Sequence, residues 1–126
     1  MSDREPTLRA GFLVLLTLVV TGSAEAKSLA LAGSYGDDYG CKVAQLGEVD
    51  AAGLDEPNDW ILVMPKGAQG HEWSCDFQSR RGSTVTAACY GEGFDSSQTV
   101  TVVENCSTGT LTYTDMAGTF TLHRCP

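Results

Sequence analysis

From residue 60 onward, apolar and polar side chains alternate with the period of two that marks strands with one buried and one wet face. In segment 71–79, Trp73, Cys75 and Phe77 fall on one side and Glu72, Ser74 and Asp76 on the other. A turn at Arg80-Arg81-Gly82 leads into 83–90, where Val85, Ala87 and Cys89 share a face. Segment 98–104 points Val100 and Val102 inward. Segments 109–114 and 118–123 repeat one Gly-Thr-apolar-Thr-apolar pattern at a spacing of nine, which predicts a hairpin turning at Asp115-Met116-Ala117-Gly118. Trp60-Ile61-Leu62-Val63-Met64 differs: it is apolar on both faces and predicts a central strand, stopped by Pro65 and Gly67.

Five successive strands with short connections predict an all-β fold, a small antiparallel meander closed or curled into a barrel so that its edges are covered. Nothing shows a convincing helical period. Segments 28–36 and 40–46 are expected as edge strands, and the charged stretch 47–59 as a loop.

The first residues follow different rules. Arg4 and Arg9 lie before a nine-residue apolar run, 12–20, and Ala24-Glu25-Ala26 follows it. A basic head, a short apolar run and a small-x-small site predict a cleaved secretory signal over 1–26, because nine residues fall well short of the roughly 20 needed to cross a bilayer. A second such site, Ala30-Leu31-Ala32, lies just beyond. Residues 27–126 then form one small domain, periplasmic or extracellular, with no stable membrane insertion after cleavage.

The whole chain carries a formal net charge of −8. Residues 27–126 hold 6 Lys and Arg against 13 Asp and Glu, a net −7 that argues against nucleic acid and in favour of cationic partners. The densest acidic stretch is 47–59, with Glu48, Asp50, Asp55, Glu56 and Asp59; it lacks the spacing of a calcium loop.

All five cysteines, Cys41, Cys75, Cys89, Cys106 and Cys125, follow the signal, and in an oxidising compartment they read as disulfide candidates. Five is odd, so at most two internal bridges form and one thiol is left over. In a meander Cys106 and Cys125 fall at the same end, opposite Cys89, which favours a Cys106–Cys125 bridge. Cys75 and Cys89 share a face on neighbouring strands and could bridge each other, or one could take Cys41. Glu92 beside Cys89 would raise a thiol pKa, so Cys89 reads as a staple at a strand end and not as a nucleophile.

Other chemistry is sparse. His71 with Cys75, and His123 with Cys125, have spacings that could serve a zinc site, but disulfide pairing is the expected fate of those cysteines. The chain has no C-x-x-C, G-x-S-x-G, phosphate-binding glycine loop or H-E-x-x-H, so no catalytic residue, metal site or cofactor is assigned. Asn105-Cys106-Ser107 matches a glycosylation sequon. Trp60 and Trp73 are expected in the core.

Gly33-x-Tyr35-Gly36, the early Cys41, Trp73-Ser74-Cys75-x-Phe77, Cys89-x-Gly-Glu-Gly and the closing Leu122-x-Arg-Cys125 together resemble small exported bacterial cysteine-containing β-domains of no assigned activity. Size and pattern are more distantly similar to the barrels of periplasmic protease and lysozyme inhibitors. The S-G-x-x-Y loop of the latter is missing, so no inhibitory residue carries over, and Cys106 is extra beside a four-cysteine arrangement. The reading that follows is an exported, non-enzymatic binding domain, inhibitor-like, engaging a basic protein or cationic peptide through the acidic stretch. Its alternatives are a structural envelope component and a small hydrolase.

Overall fold

The computed structural model describes residues 28–51 and 53–126, so the signal segment 1–26 lies outside the described residues. Among the described residues, eight antiparallel strands close into a barrel in sequence order. They are β1 (Tyr35–Gly36), β2 (Ile61–Met64), β3 (Gly67–Gly70), β4 (Trp73–Arg81), β5 (Thr84–Gly91), β6 (Phe94–Asn105), β7 (Thr110–Asp115) and β8 (Gly118–Arg124). Helices α1 (Asp38–Leu46) and α2 (Glu48–Ala51) fill the connection from β1 to β2.

The alternation read from the sequence is the alternation of the barrel wall. Cys75, Phe77, Val85, Ala87, Cys89, Val100, Val102, Leu111, Tyr113 and Leu122 all enter one interior cluster. The expected terminal hairpin forms, with Leu111 opposite Leu122 and Tyr113 opposite Phe120. Strand β6 starts four residues earlier than the alternation suggested, because Phe94 to Ser97 pair with the end of β5.

Four elements differ from expectation, the first being segment 28–36, of which only Tyr35–Gly36 forms a strand. Residues 40–46 are helical and not an edge strand. Asp37 caps α1 by accepting from the Gly40 amide at 2.8 Å, and Gly47 ends it at a φ of 86°. Asp37 also accepts from the Ile61 amide at 3.2 Å, so the same side chain fastens the helix to β2. Residues 47–59 are not wholly loop, since α2 occupies Glu48–Ala51. Residues 67–70 form β3, which two glycines and the lack of β-branched residues concealed. Gly67 is needed there because a Cβ would collide with the Cys75 carbonyl.

The helix explains why β2 is apolar on both faces. Ile61 and Val63 point into the barrel, while Trp60 and Leu62 pack outside it against Val43 and Ala51. A wet outer face on β2 would have been polar.

Two disulfides form, Cys41–Cys125 and Cys75–Cys89, with Cα atoms 5.2 and 4.0 Å apart. The second joins residues directly opposite each other on β4 and β5. The expected Cys106–Cys125 bridge is overturned. Cys106 lies in the turn after β6, exposed and free. Cys125 instead follows β8 past β1, where its amide donates to the Ser34 carbonyl at 2.8 Å, and α1 supplies Cys41 on the outside of the barrel. With residues 40–46 drawn as a strand, that approach was invisible.

Segment 28–34 belongs to the fold. The Leu29 amide donates to the Pro65 carbonyl at 2.7 Å, and Leu29 is buried in the interior cluster. Cleavage at Ala30-Leu31-Ala32 would remove that contact.

On the chain-entropy relation, loops of 84 and 14 residues correspond to about 4.5 and 3 kcal/mol. Replacing Cys41 and Cys125 by serine should therefore lower stability in urea by more than replacing Cys75 and Cys89, with Cys106 the single residue alkylated before reduction. A second alkylated cysteine would contradict this pairing. A Cβ on Gly40 would press into the Ile61 carbonyl oxygen. Gly40→Ala should thus destabilise by about 2–3 kcal/mol, the reverse of the gain alanine brings to an unobstructed helix. Urea unfolding measures the sign.

Candidate functional site

One end of the barrel carries two tight turns side by side. His71-Glu72 joins β3 to β4, and Glu92-Gly93 joins β5 to β6. Trp73 at the start of β4 is opposite Gly91 at the end of β5, which sets the two turns level. Glu72 adopts a φ of 61° and Gly93 a φ of 76°, the left-handed geometry that turns a chain within two residues. The acidic segment after α1 comes back across this end before entering β2.

Glu56 is the anchor of that crossing. Its Oε2 lies 2.8 Å from His71 Nδ1 and accepts from the Trp60 indole Nε1 at 2.9 Å. The His71 ring lies between two carboxylates, with its Nε2 3.6 Å from Glu72. The hydrogen bond to Glu56 raises the His71 pKa above its ordinary 6.5, against partial desolvation, with the charges of Glu72, Glu56 and Glu92 adding to the rise. The bonds from His71 and Trp60 hold Glu56 below its ordinary 4.5.

Beside this link a groove of about 600 Å³ runs over the outer face of β3, β4 and β5. Its floor is a cross-strand row, Gln69 opposite Ser74 opposite Tyr90, and its rim carries Glu48, Glu72 and Glu92. Glu92 is raised above its ordinary value, chiefly by sharing a hydrogen bond with Glu72 and then by the repulsion between the two. Tyr90 is 42% exposed, and half-buried Trp73 forms an aromatic wall. A rim that concentrates negative charge beside aromatic faces suits a cation, by direct pairing and by cation–π contact.

Of the five acidic residues singled out in 47–59, Glu48 reaches the groove and Glu56 fastens its edge. Asp55 lies elsewhere, in a depression of about 480 Å³ shared with Asp37, Asp38, Tyr39 and Lys42. Asp50 and Asp59 are exposed outside the groove lining. The sequence reading assigns no site to Glu72 or Glu92, although His71-Glu72 and Gly91-Glu92-Gly93 are turn signals flanking paired strands.

Both histidine–cysteine pairs lose their thiols to disulfides, since Cys75 bonds Cys89 and Cys125 bonds Cys41. His123 instead lies 3.3 Å from Asp38. No group of three or more potential metal ligands occurs among the described residues. The Glu56–His71 pair has the form of a base with its orienting carboxylate. Both ring nitrogens face carboxylates, however, which favours the imidazolium and works against a general base.

Comparison with family models, curated proteins and solved structures gives no match. The two disulfides agree with an oxidising location.

The sign of the His71–Glu56 linkage follows from the two shifts. A raised His71 stabilises fully below 6.5 and loses that contribution as pH rises through its folded value. A lowered Glu56 stabilises above 4.5 and loses that contribution as pH falls through its folded value. The stability difference between the native protein and His71→Ala should therefore peak between pH 4.5 and 6.5 and shrink on both sides. Urea midpoints measured across pH check this; a difference that does not vary with pH would mean the link is not formed.

Proposed function

We propose that this protein is an exported binding domain, periplasmic or extracellular and not an enzyme, that engages a basic protein or cationic peptide. The observation that carries the reading is the groove rim, where the register of β4 against β5 sets the turns bearing Glu72 and Glu92 side by side. Such a pair is relieved when a lysine or arginine enters between them. Glu48 adds a third charge, and Tyr90 and Trp73 supply aromatic faces for the side-chain stem. The overall negative charge steers a basic partner toward the groove. Disulfide stapling and export fit a domain that works outside the cell's reducing interior.

The partner's cation competes with protons on Glu92 and with the imidazolium of His71. Affinity should therefore rise as pH increases through both groups and fall steeply with salt. With an oligolysine or oligoarginine peptide as probe, Glu72→Gln with Glu92→Gln should weaken binding by about tenfold at low salt. Asp55→Asn with Asp59→Asn, equal in charge removed but outside the groove, should weaken it much less. Calorimetric titration of the three proteins separates the cases: equal losses would leave only non-specific attraction, and no binding by the native protein would end the proposal.

A further inference from the structure

The same end of the barrel has an inside as well as an outside. A cavity of about 170 Å³ opens inside the rim, beneath the β7–β8 turn. Its walls are Trp73, Phe94 and the Cys75–Cys89 disulfide, with Met116 and Ala117 over the opening. Met116 is 85% and Phe94 45% exposed, an unusual outlay of large apolar surface at a barrel mouth. An apolar cavity of about 150 Å³ accepts benzene, and barrel mouths are recurrent ligand sites.

Two polar groups line this cavity, and both present acceptors. Asp115 uses Oδ1 to accept from the Ala117 amide at 2.8 Å, which leaves Oδ2 to the mouth. Gln98 donates its Nε2 to Ser96 Oγ at 3.0 Å, which leaves its carbonyl oxygen to accept. Two residues before Asp115 on the same inward face of β7, the Tyr113 hydroxyl is buried with no hydrogen-bond partner among the described residues. Apolar walls, a carboxylate and a carbonyl acceptor together specify a ligand with an apolar body and a positively charged donor.

We infer that the barrel mouth binds a free primary amine whose apolar body is about the size of benzene, an arylalkyl- or short alkylammonium, with the ammonium on Asp115 and Gln98 and the body against Trp73, Phe94 and the disulfide. The site shares the Trp73 wall with the groove but opens on the inner side of the strands, and it does not depend on the groove's function.

The test is an amide chemical-shift titration of the full chain with benzylammonium. Saturable shifts should concentrate in 94–98 and 115–117. Asp115→Asn keeps an oxygen for the Ala117 amide, so the turn survives, and it should weaken binding by about fivefold or more. Benzyl alcohol should bind correspondingly less well, and Asp95→Asn, which removes one charge from β6 beside Phe94 but outside the cavity lining, should bind as the native protein does. Any of four results overturns the inference. These are no saturation up to about 20 mM, equal binding of benzyl alcohol, an unchanged affinity in Asp115→Asn, or shifts confined to Glu48, Glu72 and 90–92. A fifth arm uses a blocked lysine amide: tighter binding than benzylammonium would reassign the mouth to a protein side chain and equally reject a free amine.

Discussion

Closure of the barrel depends on Tyr35 and Gly36, a strand two residues long that pairs with β2 on one side and β8 on the other. So short a strand contributes few ladder hydrogen bonds, and without it β2 and β8 would both be open edges. Its hold comes from ties made sideways. The buried Tyr35 hydroxyl donates to Glu104 at 2.5 Å, and the same carboxylate oxygen accepts from the Ala32 amide at 2.8 Å. Those bonds keep Glu104 below its ordinary range and push Tyr35 up to about 12, so the pair stays as phenol and carboxylate throughout the neutral range. On the other flank, Asp37 fastens the start of α1 to Ile61, and Cys41–Cys125 locks the helix to the end of β8. The seam is therefore closed by a carboxylate, a helix cap and a disulfide acting on the neighbours of a minimal strand.

The opposite constraint governs the end that carries the groove, where glycines make room for aromatics. A Cβ on Gly70 would strike the Trp73 indole and one on Gly91 would strike the Phe94 ring. Each aromatic thus occupies the space a side chain on the paired glycine would fill, and Trp73 packs in addition against the interior cluster. The consequence reaches the site directly. Trp73 becomes a rigid partition with the carboxylate groove on one side and the barrel mouth on the other.

The long alternating half of the chain was legible because its physics is local: each strand from β4 to β8 buries every second residue, and short turns force neighbours to pair. The β1–α1 region was not, because its structure is decided at a distance. A nine-residue helix whose buried positions are Gly40, Cys41 and Val43 buries no large apolar residue but valine, so its amphipathic face is short and weakly marked in the sequence. Its clue lay in β2, whose double apolar face required a cover, and in Asp37 preceding the helix as a cap. The disulfide error followed from the same omission, since sheet parity places Cys106 and Cys125 at one end but says nothing of a helix arriving from outside. For the site, the acidic density of 47–59 points to five residues of which only Glu48 lines the groove, whereas the other two rim charges are single glutamates in two turns. Sequence density marks where carboxylates are many; only the register of β4 against β5 shows where they meet.

That meeting works against folding. Glu72 and Glu92 would be more comfortable apart, and turns elsewhere in the barrel show that the fold does not require acidic residues at such positions: the β4–β5 turn is Gly82-Ser83 and the β7–β8 turn Met116-Ala117. His71 relieves part of the repulsion, yet it also faces Glu56, so a single imidazolium serves three carboxylates. The barrel can sustain this because its core is apolar and its ends are stapled independently of the rim, by Cys75–Cys89 just inside the mouth and Cys41–Cys125 at the seam. Repulsion between two such carboxylates is relieved by a proton on one of them or by a cation beside both.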